Sequence, residues 1–280
     1  MQDSTLTTFV ATDGDNLAIQ DWPLDPEQRL RGVVLLVHGL GEHAGRYEVL
    51  ARRLNSWGFA VRGYDQYGHG ESGGLRGGLP SPNRLVEDLA DVMGSTRARM
   101  PRHTPLIVLG HSMGGLVAAS LVAQGLGRVE GLVLSSPALD VDLTAWRRLL
   151  LDLLPSIAPD LRLRNGLDPR WLSHDPEVVQ AYREDRLVHD RITPRLARFI
   201  VEGGAATRAQ AARWQVPTLL LYAGQDRLVS PRGSAAFASA APARVLTAHC
   251  FEDLYHEIFN ELEREPVYAR LQQWLERWFP

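Results

Sequence analysis

Short apolar runs, each followed by a stretch with helical periodicity, constrain this chain more than any other feature. Gly32–Val37 (GVVLLV) has no polar residue at alternate positions, which marks a strand buried on both faces. Tyr47, Leu50, Ala51, Leu54 and Trp57 then recur at helical spacing, with Gly58 as a stop signal. Phe59–Tyr64 reads as the next strand and Asn83–Arg99 as the next helix, with Leu85, Leu89, Val92 and Met93 on one side. Leu106–Leu109, Met113–Gln124 and Gly131–Leu134 continue the alternation, and Thr218–Tyr222, Arg244–Thr247 and Val267–Trp278 complete it. Strands separated by helices cannot pair through tight hairpins. They form a mostly parallel sheet covered on both faces. Only the start departs from this, where Leu6–Ala11 and Leu17–Trp22 flank Asp13-Gly14-Asp15 and read as an antiparallel hairpin.

One segment interrupts the pattern. Between Ser136-Pro137 and Val216-Pro217 the sequence offers no credible strand. Leu143, Trp146, Leu149, Leu150, Leu153 and Ile157 fall on one helical stripe, widened by Leu151 and Leu154, and helical pieces follow around Pro176–Arg183 and Pro194–Gly203. The expectation is therefore a core of residues 1–136 and 216–280 with a helical lid, 137–215, over the strand ends. The same stripe suits an acyl tunnel, a membrane-touching lid or ordinary packing.

Composition excludes several classes. A net charge of -3 without a basic stripe gives no reason to expect nucleic acid. The single Cys250 excludes an internal disulfide framework and a CxxC metal site. No stretch is apolar for long enough to span a bilayer, and the N-terminus lacks an export signal, so a soluble cytoplasmic protein is expected. The sequence leaves its oligomeric state open.

The chemistry centres on LGHSMGGLVAA, residues 109–119, where Ser112 stands between Gly110 and Gly114 at the end of a strand and the start of a helix. Such a turn lifts a hydroxyl off the sheet and sets it before the unpaired N–H groups of the helix. A serine nucleophile needs a base, and the base needs an acid to orient it. His174 and His189 lie in the expected lid and His249 in the last strand or at its edge. His256 follows the last strand and is favoured as base. Asp226 follows the strand Thr218–Tyr222 and is favoured as acid over Asp253, which reads as a solvated loop charge. Oxyanion donors are expected from the backbone N–H groups of Met113 and Leu40, the latter flanked by Gly39 and Gly41. His38 and His43 lack a third ligand for a metal, so none is expected. His38 more plainly braces the oxyanion loop, His69 reads as structural, and His111 reads as a packing or hydrogen-bonding residue whose side chain points elsewhere on the elbow.

The segments HGLGEHAGRY (38–47), GYDQYGHGESGG (63–74), GHSMGG (110–115), GQDRLVS (224–230) and YHEIFNE (255–261) together resemble the monoacylglycerol lipases, with their lysophospholipase relatives, in the α/β-hydrolase superfamily. The resemblance implies that fold, a triad of Ser112, Asp226 and His256, and an oxyanion hole of the Leu40 and Met113 amides. It also implies that Glu42 and Arg46 hold the glycerol hydroxyls. The lid matches less well: Tyr182–Val188 carries Arg186 where the family pattern has proline. The expected activity is hydrolysis of a monoacylglycerol or similar single-chain lipid ester through an acyl-enzyme, without a cofactor. Its partner would be that small lipid ester, with transient membrane contact through the lid. A broad carboxylesterase or lysophospholipase is the rival reading, and a non-catalytic binder of a small apolar ligand the more distant one.

Overall fold

The computed structural model describes residues 3–141 and 145–280. Leu143, and the side chains of Trp146, Leu149 and Leu150 in the expected stripe, lie outside the described residues. In chain order the strands are β1 (Thr5–Val10), β2 (Asn16–Trp22), β3 (Gly32–Val37), β4 (Phe59–Tyr64), β5 (Leu106–His111), β6 (Gly131–Ser135), β7 (Leu163–Arg164), β8 (Arg191–Ile192), β9 (Thr218–Ala223) and β10 (Leu246–Phe251). Eight of them form one sheet in the order β1-β2-β4-β3-β5-β6-β9-β10. Strands β1 and β2 pair antiparallel, as do β2 and β4, and every later pairing in this sheet is parallel.

The apolar runs are explained by what covers them. Val33, Leu35 and Val37 of β3 and Leu106 and Val108 of β5 face one core. That core includes α2 (Arg84–Arg99), α3 (Met113–Gln124) and the anchor Phe237 of α7 (Pro231–Ala240). Val34, Leu36, Ile107 and Leu109 face the other, against α1 (Glu48–Ser56) and α8 (Glu265–Trp278). Both faces are dry, so polar alternation would have left unpaired groups in a core. Truncating a fully buried leucine such as Leu35 would cost about 2–5 kcal/mol.

Two expectations are corrected and one helix is added. The last strand runs Leu246–Phe251 rather than Arg244–Thr247, pairing with the whole of β9. Helix α7 was not legible, because its small residues (PRGSAAFASA) leave Phe237 as the only large apolar anchor. The inserted segment is not strandless either: β7 and β8 form a two-residue antiparallel pair beside α4 (Ala145–Ile157), α5 (Pro176–Glu184) and α6 (Pro194–Ala209). Leu196 and Ile200 of α6, then Ala211 and Trp214, join the core shared with α3, so this segment is welded to the sheet domain at its far end.

Because β3, β5, β6, β9 and β10 are mutually parallel, the loops after them emerge on one side of the sheet. Those loops carry residues 38–47, Ser112, the inserted segment, Asp226 and His256. A ligand site is expected at such strand ends.

Candidate active site

Ser112 is forced into an unusual backbone conformation, φ 53° and ψ -120°, which costs energy in a non-glycine residue and is held only by its surroundings. Its N–H donates to the carbonyl of Ser135 at 2.9 Å, and its carbonyl accepts from Ala138 at 2.9 Å and Leu116 at 3.1 Å. The flanking glycines are steric necessities. A Cβ on Gly110 would strike the Gly114 carbonyl, and one on Gly114 would strike the carbonyls of Val37 and His38.

His256 Nδ1 and Asp226 Oδ2 are 2.6 Å apart, with both side chains almost fully buried. The other carboxylate oxygen of Asp226 accepts the N–H groups of Leu228 and Val229, each at 2.9 Å, so the acid is fixed by its own turn. Burial alone would lower the His256 pKa, but the Asp226 charge and hydrogen bond outweigh it and the net shift is upward. Nε2 is the ring nitrogen left for other chemistry. Ser112, His256, Asp226, Leu40 and Met113 all line one cavity of about 780 Å³. The competitors are elsewhere: His249 lies within β10 and Asp253 is exposed.

The two expected oxyanion donors come from different elements. Met113 opens α3, where a backbone N–H has no intrahelical acceptor. Leu40 N–H finds no acceptor among the backbone hydrogen bonds of the described residues. The loop that presents it is braced by His38, whose Nδ1 donates to the Gly39 carbonyl at 2.8 Å while Nε2 accepts the Gln66 N–H at 2.9 Å. Burial lowers the His38 pKa, which favours the neutral ring this pattern requires. His69, expected to be structural, is buried and holds the Tyr67 carbonyl through Nδ1 at 2.9 Å.

His111 packs and hydrogen-bonds, as expected. Its ring is packed against His256, centroids 4.6 Å apart, with Nδ1 3.1 Å from Ser135 Oγ. Burial, reinforced by His256, pushes its pKa down to about 4, so it is neutral at pH 7. Nothing in the sequence marked His256 as the ring it packs against.

Glu42 and Arg46 are also brought near the centre, yet neither lines the large cavity. Glu42 Oε1 accepts from the Gly39 N–H at 2.5 Å and the Tyr47 hydroxyl at 2.6 Å, while Oε2 is 2.5 Å from Arg46. The Arg46 guanidinium also meets both oxygens of Glu257, at 2.7 and 3.0 Å. Burial pushes Glu42 up, but Arg46, His111, His38 and the Tyr47 hydrogen bond overcome it and hold the carboxyl at about 2. Glu257 was overlooked in the sequence, since a glutamate after a histidine gives no sign of its partner.

The inserted segment is hydrogen-bonded to both sides of the centre. His189 N–H donates to the Gly41 carbonyl at 2.9 Å, and His43 Nε2 lies 2.8 Å from Asp185. On the other side the Glu257 N–H donates to Leu172 at 2.8 Å. Glu261, fully buried, accepts from the N–H groups of Tyr255 (2.7 Å) and His174 (3.0 Å) and faces His174 Nδ1 at 2.9 Å.

With this geometry in place, kinship can be assigned. Residues 28–263 match the Hydrolase_4 family, serine aminopeptidase S33. The chain belongs to this family of hydrolases. A monoacylglycerol lipase from Mycolicibacterium smegmatis is 34% identical over 96% of this chain and 95% of its own. The crystal structure of Paleococcus ferrophilus monoacylglycerol lipase superimposes with a TM-score of 0.83 at 34% identity, covering 94% of this chain and 99% of that one. An uncharacterized abhydrolase domain-containing protein of Dictyostelium discoideum is 28% identical over 97% of this chain, which spans 29% of that longer protein. The S33 hydrolase described here thus has the α/β-hydrolase fold expected from its sequence, and it is an ester hydrolase of the monoacylglycerol lipase type. Among the described residues no group of His, Cys, Asp and Glu side chains could hold a metal ion, and no helix is long and apolar enough to cross a membrane.

Proposed function

We propose that this hydrolase cleaves monoacylglycerols, or closely similar single-chain lipid esters, into fatty acid and alcohol through an acyl-enzyme on Ser112. The observation that carries the reading is the 2.6 Å contact between His256 Nδ1 and Asp226 at the edge of the cavity that Ser112 also lines. Asp226 holds the imidazole in the tautomer with a free Nε2 and stabilises the ring once charged. His256 takes the Ser112 proton as Oγ attacks the ester carbonyl. The Leu40 and Met113 amides receive the oxyanion, where one such donor is worth about 3–4 kcal/mol. The tetrahedral intermediate collapses by breaking the bond to the alkoxy oxygen, and His256 returns the proton to the leaving alcohol. Water, deprotonated by the same histidine, then hydrolyses the acyl-enzyme.

The cavity supports a single-chain substrate. Apolar side chains of the insertion, Leu151 and Leu154 of α4, Ile192, and Ile200 and Val201 of α6, form much of its lining, alongside the polar Arg164, Asn165, Asp168 and Arg227. Residues 137–215 are proposed as the lid that supplies these apolar side chains, with the outer side of α4 resting on the lipid surface. Ser112→Ala tests the reading: loss of hydrolysis of a monoacylglycerol with the fold intact is expected, and retained turnover refutes the nucleophile. A comparison of mono-, di- and triacylglycerols tests the substrate class, where equal rates on all three would count against it.

A further inference from the structure

We infer that Glu42, Arg46 and Glu257 form one buried ionic bridge that holds the oxyanion loop and the His256 loop in register, acting as positioning residues rather than as contacts to the leaving alcohol. The inference rests on the roles proposed above for Ser112, Leu40 and His256. The bridge starts at the Gly39 N–H, which Glu42 fixes at 2.5 Å, one residue before the Leu40 amide. His38 holds the Gly39 carbonyl at 2.8 Å, and that carbonyl belongs to the same planar peptide as the Leu40 N–H. In a trans peptide the two point in opposite directions, so both ends of the donor's orientation are set. From Glu42 the bridge passes through Arg46 to both oxygens of Glu257, the residue after His256.

Geometry argues against a substrate contact. The Glu42 and Arg46 side chains are 5% and 10% exposed. Both Glu42 oxygens are occupied, and the Arg46 guanidinium is covered by the Tyr182 ring at 4.8 Å. The space they do line, with His111, Ser135 and Glu257, is about 20 Å³, room for about one water but not for glycerol.

The bridge also carries charge. Two carboxylates share one guanidinium, leaving a net negative charge beside His256. The other groups facing that ring are Asp226 and His111, with Tyr47 and Tyr182 bordering the bridge itself. Removing one carboxylate therefore makes His256 less basic, whereas removing the arginine makes it more basic. A scaffold without this coupling would move neither.

The test compares Glu42→Gln, Glu257→Gln and Arg46→Met, with Ser112→Ala alongside, on a monoacylglycerol and on the p-nitrophenyl ester of the same fatty acid. Glutamine at position 42 cannot serve both the Gly39 N–H and Arg46, so kcat should fall about tenfold or more, by the same factor on both esters, with KM within about threefold. The acid limb of kcat/KM should move to lower pH in Glu257→Gln and to higher pH in Arg46→Met. A loss confined to the glyceryl ester, or an unmoved limb in Glu257→Gln, overturns the inference. Should Arg46→Met fail to fold, the isosteric Glu257→Gln still decides. Ser112→Ala separates the two readings. If it is inactive on both esters while Glu42→Gln turns over normally, only the bridge is refuted. If it is active, the nucleophile itself is wrong.

Discussion

Asp226 divides its two carboxylate oxygens between its own turn and the imidazole: Oδ1 accepts the Leu228 and Val229 N–H groups, and Oδ2 meets His256 Nδ1. Asp226→Asn should separate the functions. The amide oxygen can keep the turn, while the NH2 group, now facing Nδ1, favours the wrong imidazole tautomer. Activity should fall by about 10⁴-fold with little change in melting temperature. A loss below about tenfold would mean that Asp226 does not orient the base.

The pH dependence follows from the same pair. Asp226 outweighs burial and raises the His256 pKa above 6.5. The free enzyme's base must be neutral to accept the serine proton, so kcat/KM should rise with pH through a pKa above 6.5. The stability linkage runs the other way: a raised histidine pKa contributes stability that is fully present below pH 6.5 and lost as pH rises through the folded value. A rate profile with its limb below pH 6 would show that Asp226 does not dominate. His111, held near 4, adds no second limb at neutral pH.

Local features made most of this centre readable. The elbow is a contiguous pattern whose glycines are demanded by contacts of Gly110 and Gly114 with nearby backbone, so Ser112 could be picked out without a partner. Asp226 and His256, the proposed acid and base, are singled out by strand ends and chain order, and the structure brings the two into contact. Glu257 is not singled out, because its partner Arg46 lies 211 residues away and no periodicity links them. The burial of Arg46 is equally hidden in the sequence, because the covering Tyr182 comes from the insertion, the least patterned part of the chain.

Gly114→Ala should be severely destabilising. The added Cβ would meet the carbonyls of both Val37 and His38, which are strand and loop backbone with no rotamer to yield. A cost of about 3 kcal/mol or more is expected in urea unfolding. Gly125→Ala is the control for a left-handed glycine in open space, where strain alone should cost about 1 kcal/mol. Equal costs would show that crowding at position 114 is not the issue.

Glu261→Gln probes the hydrogen-bonded link between the inserted segment and the His256 loop. This buried carboxylate ties the Tyr255 N–H to the N–H and ring of His174. The amide can satisfy only part of that donor set, leaving at least one buried N–H unpaired at about 1–3 kcal/mol. Because His256 follows Tyr255 directly, kcat should fall along with the melting temperature. Loss of stability with unchanged kcat would show that Glu261 merely holds the fold together.

The outer side of α4 gives the last prediction. Leu151 and Leu154 line the cavity, whereas Leu153 and Ile157, one turn apart, are 50% and 76% exposed. Leu161, just beyond the helix, is 47% exposed as well. Inserting one such side chain into a bilayer is worth about 1.5–3 kcal/mol, so several acting together would hold the protein on a lipid surface reversibly. Leu153→Glu with Ile157→Glu should therefore weaken sedimentation with phosphatidylcholine vesicles at least tenfold. The double variant should also lose activity on vesicle-borne monoacylglycerol while cleaving dissolved p-nitrophenyl butyrate at the normal rate, because neither residue lines the cavity. Equal losses on both substrates would place the effect inside the pocket, and unchanged vesicle binding would mean that α4 does not meet the membrane.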